Sequence, residues 1–173
     1  GIWDKCESAI NGKHIENRKL SLVSDTAIEM SIDAWKDDFP AEGVKSTAGN
    51  SVHVMDTAFF IPQLNRSRKI WRYLPPGYEN SKKKYPVLYM QDAQNLFDDS
   101  TSFNGEWGID ECLDSLYLDG RNVGIVVGIE NSPERLNEYA PLETEKIQNP
   151  EGERYADFLA LTLKPFIDKN YRT

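Results

Sequence analysis

The chain has 173 residues, 39% of them hydrophobic and 28% charged, with a formal net charge of −8. That length suits one globular domain, or one domain with a piece of another, and can bury a core without disulfide staples. The acidic balance argues against a nucleic-acid partner, and no apolar run is long enough for a membrane-spanning helix.

Residues 1–35 read as short β segments. Leu20 and Leu22, then Ile28, Met30 and Ile32, alternate with polar residues, the period of half-buried strands. Asn11-Gly12 is a turn signal. Trp3 and Trp35 are expected in a core rather than as sugar-stacking platforms. About three short strands cannot close a sandwich alone. Residues 36–51, KDDFPAEGVKSTAGNS, have no hydrophobic period and read as a linker. Within them Gly49-Asn50-Ser51, followed by His53, imitates a nucleophile motif. A nucleophile elbow needs a second glycine two residues after the serine, between a buried strand and a helix. Position 53 is histidine and no helical pattern follows, so the motif is rejected.

Residues 51–75 read as an antiparallel hairpin, with Val52, Val54 and 58–61 on one arm and Ile70, Trp71, Tyr73 and Leu74 on the other. Pro75-Pro76 ends it, since two prolines cannot donate to a ladder. The basic stretches 66–69 and 82–84 read as solvated turns and edge protection.

The stretch YPVLYMQDAQNLFD, 85–98, organises the rest of the chain. Its apolar first half predicts a strand buried on both faces. Gln91, Asp92, Gln94 and Asn95 then stand where open α/β sheets place their ligands. Beyond them, Asp98, Asp99, Ser100, Ser102 and Asn104 hint at a calcium loop. Gly105 is out of place for one, however, and no bidentate glutamate follows at the required distance. Ile109, Cys112, Leu113, Leu116 and Tyr117 fall on one helical face, which makes Cys112 a core thiol, and Gly120 is a suitable stop. Cys6 and Cys112 form no metal-ligand spacing. Residues 122–130, NVGIVVGIE, are a second fully apolar strand. Two such strands joined through a helix should be parallel. Their polar ends, including Arg135 and Tyr139, then converge on one crevice. A helix over 152–170 buries Tyr155, Phe158, Leu159, Thr162, Leu163, Phe166 and Ile167, and Pro165 should bend or shorten its last turns.

Five pieces carry a resemblance: IPQLNRSRKIWRYLPPGYEN, YPVLYMQDAQNLFD, EWGIDE, NVGIVVGIEN with RLNEYAP, and GERYADFLALTLKPFIDKNYRT. Together, at natural spacing over most of 59–173, they resemble the Putative esterase (esterase D type) branch of the α/β-hydrolases. Related chains often carry Gly where Ala93 stands. The resemblance implies ester hydrolysis by a Ser–His–Asp/Glu triad. It also implies an oxyanion-hole amide in the loop after the first buried strand, on Ala93 or Gln94, with Gln91, Asp92, Asn95, Arg135 and Tyr139 lining the substrate crevice. The family's GxSxG elbow follows the helix that matches 152–171, so no residue here matches the nucleophile, the acid or the histidine. His14 and His53 lie outside the matching pieces. More weakly, residues 1–35 resemble the end of a starch-binding type of carbohydrate module, which implies a secreted or periplasmic setting.

The expected fold is therefore α/β: an incomplete α/β-hydrolase, an N-terminal hairpin plus parallel βαβ units, preceded by a partial β-sandwich. The expected domains are 1–38, a linker over 39–51, and 52–173. The expected function is part of a serine carboxyl-ester hydrolase acting on acylated saccharides or other bulky esters, silent as this chain alone. The alternative is a non-catalytic carbohydrate-binding or assembly protein. The expected partner is an ester substrate, with no cofactor, metal, nucleic acid or membrane, and with homo-oligomerisation as one route to supply missing strands.

Overall fold

The computed structural model describes residues 7–9, 15–16, 29–35 and 45–173. The chain divides into two units, Gly1–Val44 and Lys45–Thr173. In the first, β1 (Glu7–Ser8) pairs antiparallel with β2 (Ala34–Trp35). Met30 and Ile32 are exposed and lie outside any strand, and Trp35 is 43% exposed rather than in a core. Trp3, Cys6, Asn11-Gly12, His14, Leu20, Leu22 and Ile28 lie outside the described residues.

In the second unit the expected hairpin forms from β3 (Val52–Ile61) and β4 (Arg66–Tyr73). Asn65 closes its turn at φ 51, a left-handed conformation that asparagine tolerates well. Further along come β5 (Val87–Gln91), α1 (Ile109–Leu118) and β6 (Ile125–Ile129). The sheet order is β3-β4-β6-β5. β6 runs antiparallel to β4 and parallel to β5, so the two apolar strands are parallel as their connection demands.

One expectation about this sheet is corrected. All five residues of β6 are buried, but β5 is an edge strand among the described residues, and its Leu88 is 55% exposed. Periodicity reports how apolar a strand is, not how many neighbours it has.

Side chains alternate across the sheet into two cores. On one face Phe59, Ile61, Ile70, Ile125, Val127 and Ile129 meet Tyr155, Phe158, Leu163 and Ile167. On the other Val52, Trp71, Tyr73 and Val126 meet Ala93, Leu96 and Phe97, with Ile109 and Leu113 of α1 packed alongside. The sheet is thus covered on both sides, which fixes both strand ends that form the site.

α1 buries only part of its predicted stripe. Ile109 and Leu113 face the core, whereas Leu116 and Tyr117 are exposed, and Cys112 is an exposed free thiol rather than a core one. Gly120, at φ 74, stops the helix: its N–H and that of Arg121 donate back to Tyr117 and Leu116.

After α2 (Arg135–Tyr139) and a loop, the long C-terminal helix is built of α3 (Gly152–Asp157), a π-helical turn (Phe158–Leu163) and α4 (Lys164–Asn170) running on without interruption. Pro165 does not end the helix, which continues to Asn170. The π turn, with Lys164 N–H donating to the Leu159 carbonyl five residues back, brings in the proline near the start of α4, where a missing N–H matters least. The wider turn also keeps Phe158 and Leu163, five residues apart, both fully buried.

Residues 45–50, which composition reads as linker, are tied into the second unit. The Ser46 hydroxyl and Thr47 N–H donate to Asp98 at 2.7 and 3.3 Å, and Gly49 N–H donates to Asp110 at 2.8 Å. The carboxylate of Asp98 is also taken by Ser100 N–H at 2.8 Å. These bonds hold the carboxyl of Asp98 below its usual range although its burial opposes them.

Candidate functional site

β5 ends at Gln91, and the chain turns sharply. Asp92 adopts φ 58, a left-handed conformation uncommon outside glycine, asparagine and aspartate. A 3₁₀ turn over Ala93–Asn95 follows. Asn95 N–H donates to the Asp92 carbonyl at 2.9 Å and Leu96 N–H to that of Ala93 at 3.2 Å. The turn's first two amides, on Ala93 and Gln94, precede those bonds and take no part in closing it.

The end of β6 locks this turn. Arg135 grips Asp92 with two parallel bonds, Nε to Oδ1 and Nη2 to Oδ2, each 2.8 Å. Asn131 adds a third from its side-chain amide at 2.8 Å, and its backbone N–H donates to Gln94 Oε1 at 3.3 Å. Such a bidentate pair fixes direction as well as distance. The Arg135 bonds hold the Asp92 carboxyl below its usual range, against the opposing effect of burial. The guanidinium also lies 5.0 Å over the Tyr139 ring.

A tight seat lies beneath. A Cβ added to Gly128 would fall 2.9 Å from the Ala93 Cβ and 3.3 Å from both Leu96 and Phe97. The turn can sit this low only because β6 has glycine there. Gly128→Ala is expected to destabilise the chain by about 1–3 kcal/mol through overpacking, read by thermal unfolding. An unchanged midpoint would refute the close seat.

Gln91, Asp92, Arg135 and Tyr139 meet around an open crevice of about 440 Å³, completed by Glu138, Pro141, Gly152, Tyr155, Ala156 and Leu159. Ala93, Gln94 and Asn95 stand outside its lining, on the adjoining turn. Asn95 braces the next loop: its side-chain oxygen accepts Phe103 N–H at 2.9 Å and its carbonyl accepts Trp107 N–H at 2.8 Å. The structure therefore brings together four of the seven sequence-predicted residues at the crevice and the other three beside it. His53 is not among them. Its ring nitrogen faces the Val52 carbonyl, and among the described residues no serine hydroxyl is bonded to it.

Sequence reasoning missed the floor. Arg66 and Arg68 are not solvated turn residues. Arg68 is buried and pairs with Glu138 at 2.6 Å, while Arg66 pairs with Glu138 at 2.9 Å and with Glu151. Glu138 is fully buried. Backbone bonds from Glu151 N–H to Asn137 and from Gly152 N–H to Ala140 then pin α3 to α2. One signal was available: Arg66 and Arg68 keep the two-residue period of the fully buried Ile70, so all three point to one face of β4.

Comparison with known proteins adds four findings. Residues 61–173 match the family model described as Putative esterase. The uncharacterized protein YbbA of Bacillus subtilis (strain 168) is 32% identical over 94 residues, which are 53% of this chain and 32% of YbbA. An IroE-like serine hydrolase from Shewanella oneidensis superposes at TM-score 0.54 with 27% identity, over 65% of this chain and 37% of its own. The BES protein from Bacillus cereus shares the fold at TM-score 0.52 and 14% identity, over 86% of this chain and 52% of its own. This chain thus spans roughly a third of the length of YbbA and of the Shewanella hydrolase.

Proposed function

The chain belongs to the Putative esterase family of the α/β-hydrolase superfamily, and from that premise we propose that it forms the oxyanion side of a serine carboxyl-ester hydrolase. The observation that carries this reading is the Asp92–Arg135–Asn131 lock, which holds two turn amides beside a crevice at the ends of two parallel strands. Likeness to a serine hydrolase at 27% identity supports it.

In that reaction a serine adds to the ester carbonyl, and the carbonyl oxygen gains the negative charge. The Ala93 or Gln94 N–H donates to that oxygen, in a place preorganised before the charge develops. A histidine carries the serine proton to the departing alcohol, oriented by a carboxylate. No Ser51 or His53 role enters, because no GxSxG elbow surrounds them. The crevice, walled by Tyr139, Tyr155 and Leu159 with Arg135 at its mouth, suits a bulky ester with apolar and polar parts, acylated saccharides among them.

Turnover of p-nitrophenyl acetate by these 173 residues alone is expected at background. The same residues carried in a protein of the relatives' length are expected to show saturable turnover. A longer protein that binds α-glucan but never cleaves an ester would overturn the reading in favour of a binding module.

A further inference from the structure

Glu106 stands just before α1, and Asp110 and Glu111 fill its first turn. Acidic first turns are ordinary where the carboxylates face water, because the helix dipole favours them. Asp110 does not face water: it is 1% exposed. Its Oδ2 accepts the Gly49 N–H, but its Oδ1 is buried without a hydrogen-bond partner, and so is Oε2 of Glu106. Each of the three residues brings a carboxylate oxygen to within 4.8 Å of the other two. Among the described residues no lysine or arginine pairs with any of them.

Two orphaned carboxylate oxygens beside a third carboxylate are unfavourable on two counts, lost hydration and mutual repulsion. We propose that Glu106, Asp110 and Glu111 form a binding site for a hard divalent cation of the calcium class. The donors are all oxygen, with no nitrogen or sulfur, which selects against zinc and copper. Glu111 is exposed, so water can complete the shell. Three carboxylates from a loop and a helix turn, with water free to fill the rest, suit the flexible six-to-eight-fold shell of calcium better than the strict octahedron of magnesium. The site differs from the Asp98–Asn104 pattern weighed in the sequence, since Asp98 is already satisfied by Ser46, Thr47 and Ser100. It is also independent of the ester-hydrolase reading, because none of its ligands lines the crevice.

A bound cation would fasten the 106 loop to the start of α1 and, through Gly49, to the segment that leads into β3. The test uses terbium(III), which occupies calcium sites and luminesces when a nearby indole is excited. Trp107 adjoins Glu106 and is 57% exposed. Saturable terbium emission, displaced by calcium, is expected from the 173-residue chain. Glu106→Gln and Glu111→Gln should each weaken calcium binding by about tenfold or more. Calcium should raise the unfolding midpoint of the parent chain and not of the double variant. Asp110 is left intact because its bond to Gly49 is structural. Absent or unsaturable emission, or emission unchanged in the double variant, would overturn the proposal. So would a midpoint that rises as pH falls toward 6 and ignores calcium, which would mean that a shared proton neutralises the cluster.

Discussion

Glu138→Ala is expected to remove about 3–5 kcal/mol of stability, the range for breaking a buried ion pair by deleting one partner. Glu138 is fully buried, and one of its oxygens accepts from both Arg66 and Arg68, at 2.9 and 2.6 Å. Removing it strands the Arg68 guanidinium, 7% exposed, in the space between β4 and α2. Arg66 suffers less, because it keeps Glu151 and is a third exposed on its side chain. The loss arises from leaving a charge unpaired rather than from the worth of the pair itself. Arg68→Met with Glu138→Leu should therefore recover most of the deficit. Urea unfolding followed by tryptophan fluorescence measures both. A single-variant loss below about 1 kcal/mol, the level of a surface pair, would show that the network is solvated in solution.

That network shows where the sequence runs out. Arg66 and Arg68 lie about seventy positions before Glu138, and no local period relates them. Their shared face with Ile70 was readable, but the acid that would meet it was not. The hairpin, the parallel pairing of β5 with β6 and the extent of α1 were legible because each follows from local alternation, turn chemistry or connection length. The edge position of β5 was not, since an apolar run reads the same with one neighbour or two. Cys112 misled for a related reason. A helical stripe marks the apolar side of α1, but the core beneath takes only its Ile109–Leu113 edge. At the candidate site, position in the fold explains why Gln91, Asp92, Arg135 and Tyr139 lie together: polar residues that end adjacent parallel strands must converge. Sequence could also nominate Arg135, yet not that its target is Asp92.

Asp92 carries the second large effect. In the proposed hydrolase it acts as a positioning residue, because its bonds to Arg135 set the turn that bears the Ala93 and Gln94 amides. Asp92→Ala removes three hydrogen bonds at once and leaves alanine at φ 58, which an asparagine or aspartate accepts more readily. In a protein of the relatives' length, kcat on p-nitrophenyl acetate should fall by about 10²–10³, comparable to losing one oxyanion donor, with KM little changed because ground-state contacts survive. Arg135→Lys should fall between parent and Asp92→Ala, since an ammonium cannot reproduce the two-pronged grip. The pH dependence separates positioning from general damage. The folded-state pKa of Asp92 is lowered, first by the Arg135 bonds. The stabilisation it gives is therefore present above its unfolded value of about 3.9 and is lost as pH falls through its lower folded value. The protection of the turn amides, the intrinsic exchange rate at each pH divided by the observed rate, should accordingly be steady from about pH 5 upward and fall only in stronger acid. Asp92→Asn keeps the backbone preference but cannot titrate, so its turn should exchange faster throughout and show no acid-induced step. If Asp92→Asn and the parent respond to acid alike, the Asp92–Arg135 pair does not hold the turn, and the oxyanion role assigned to Ala93 and Gln94 loses its support.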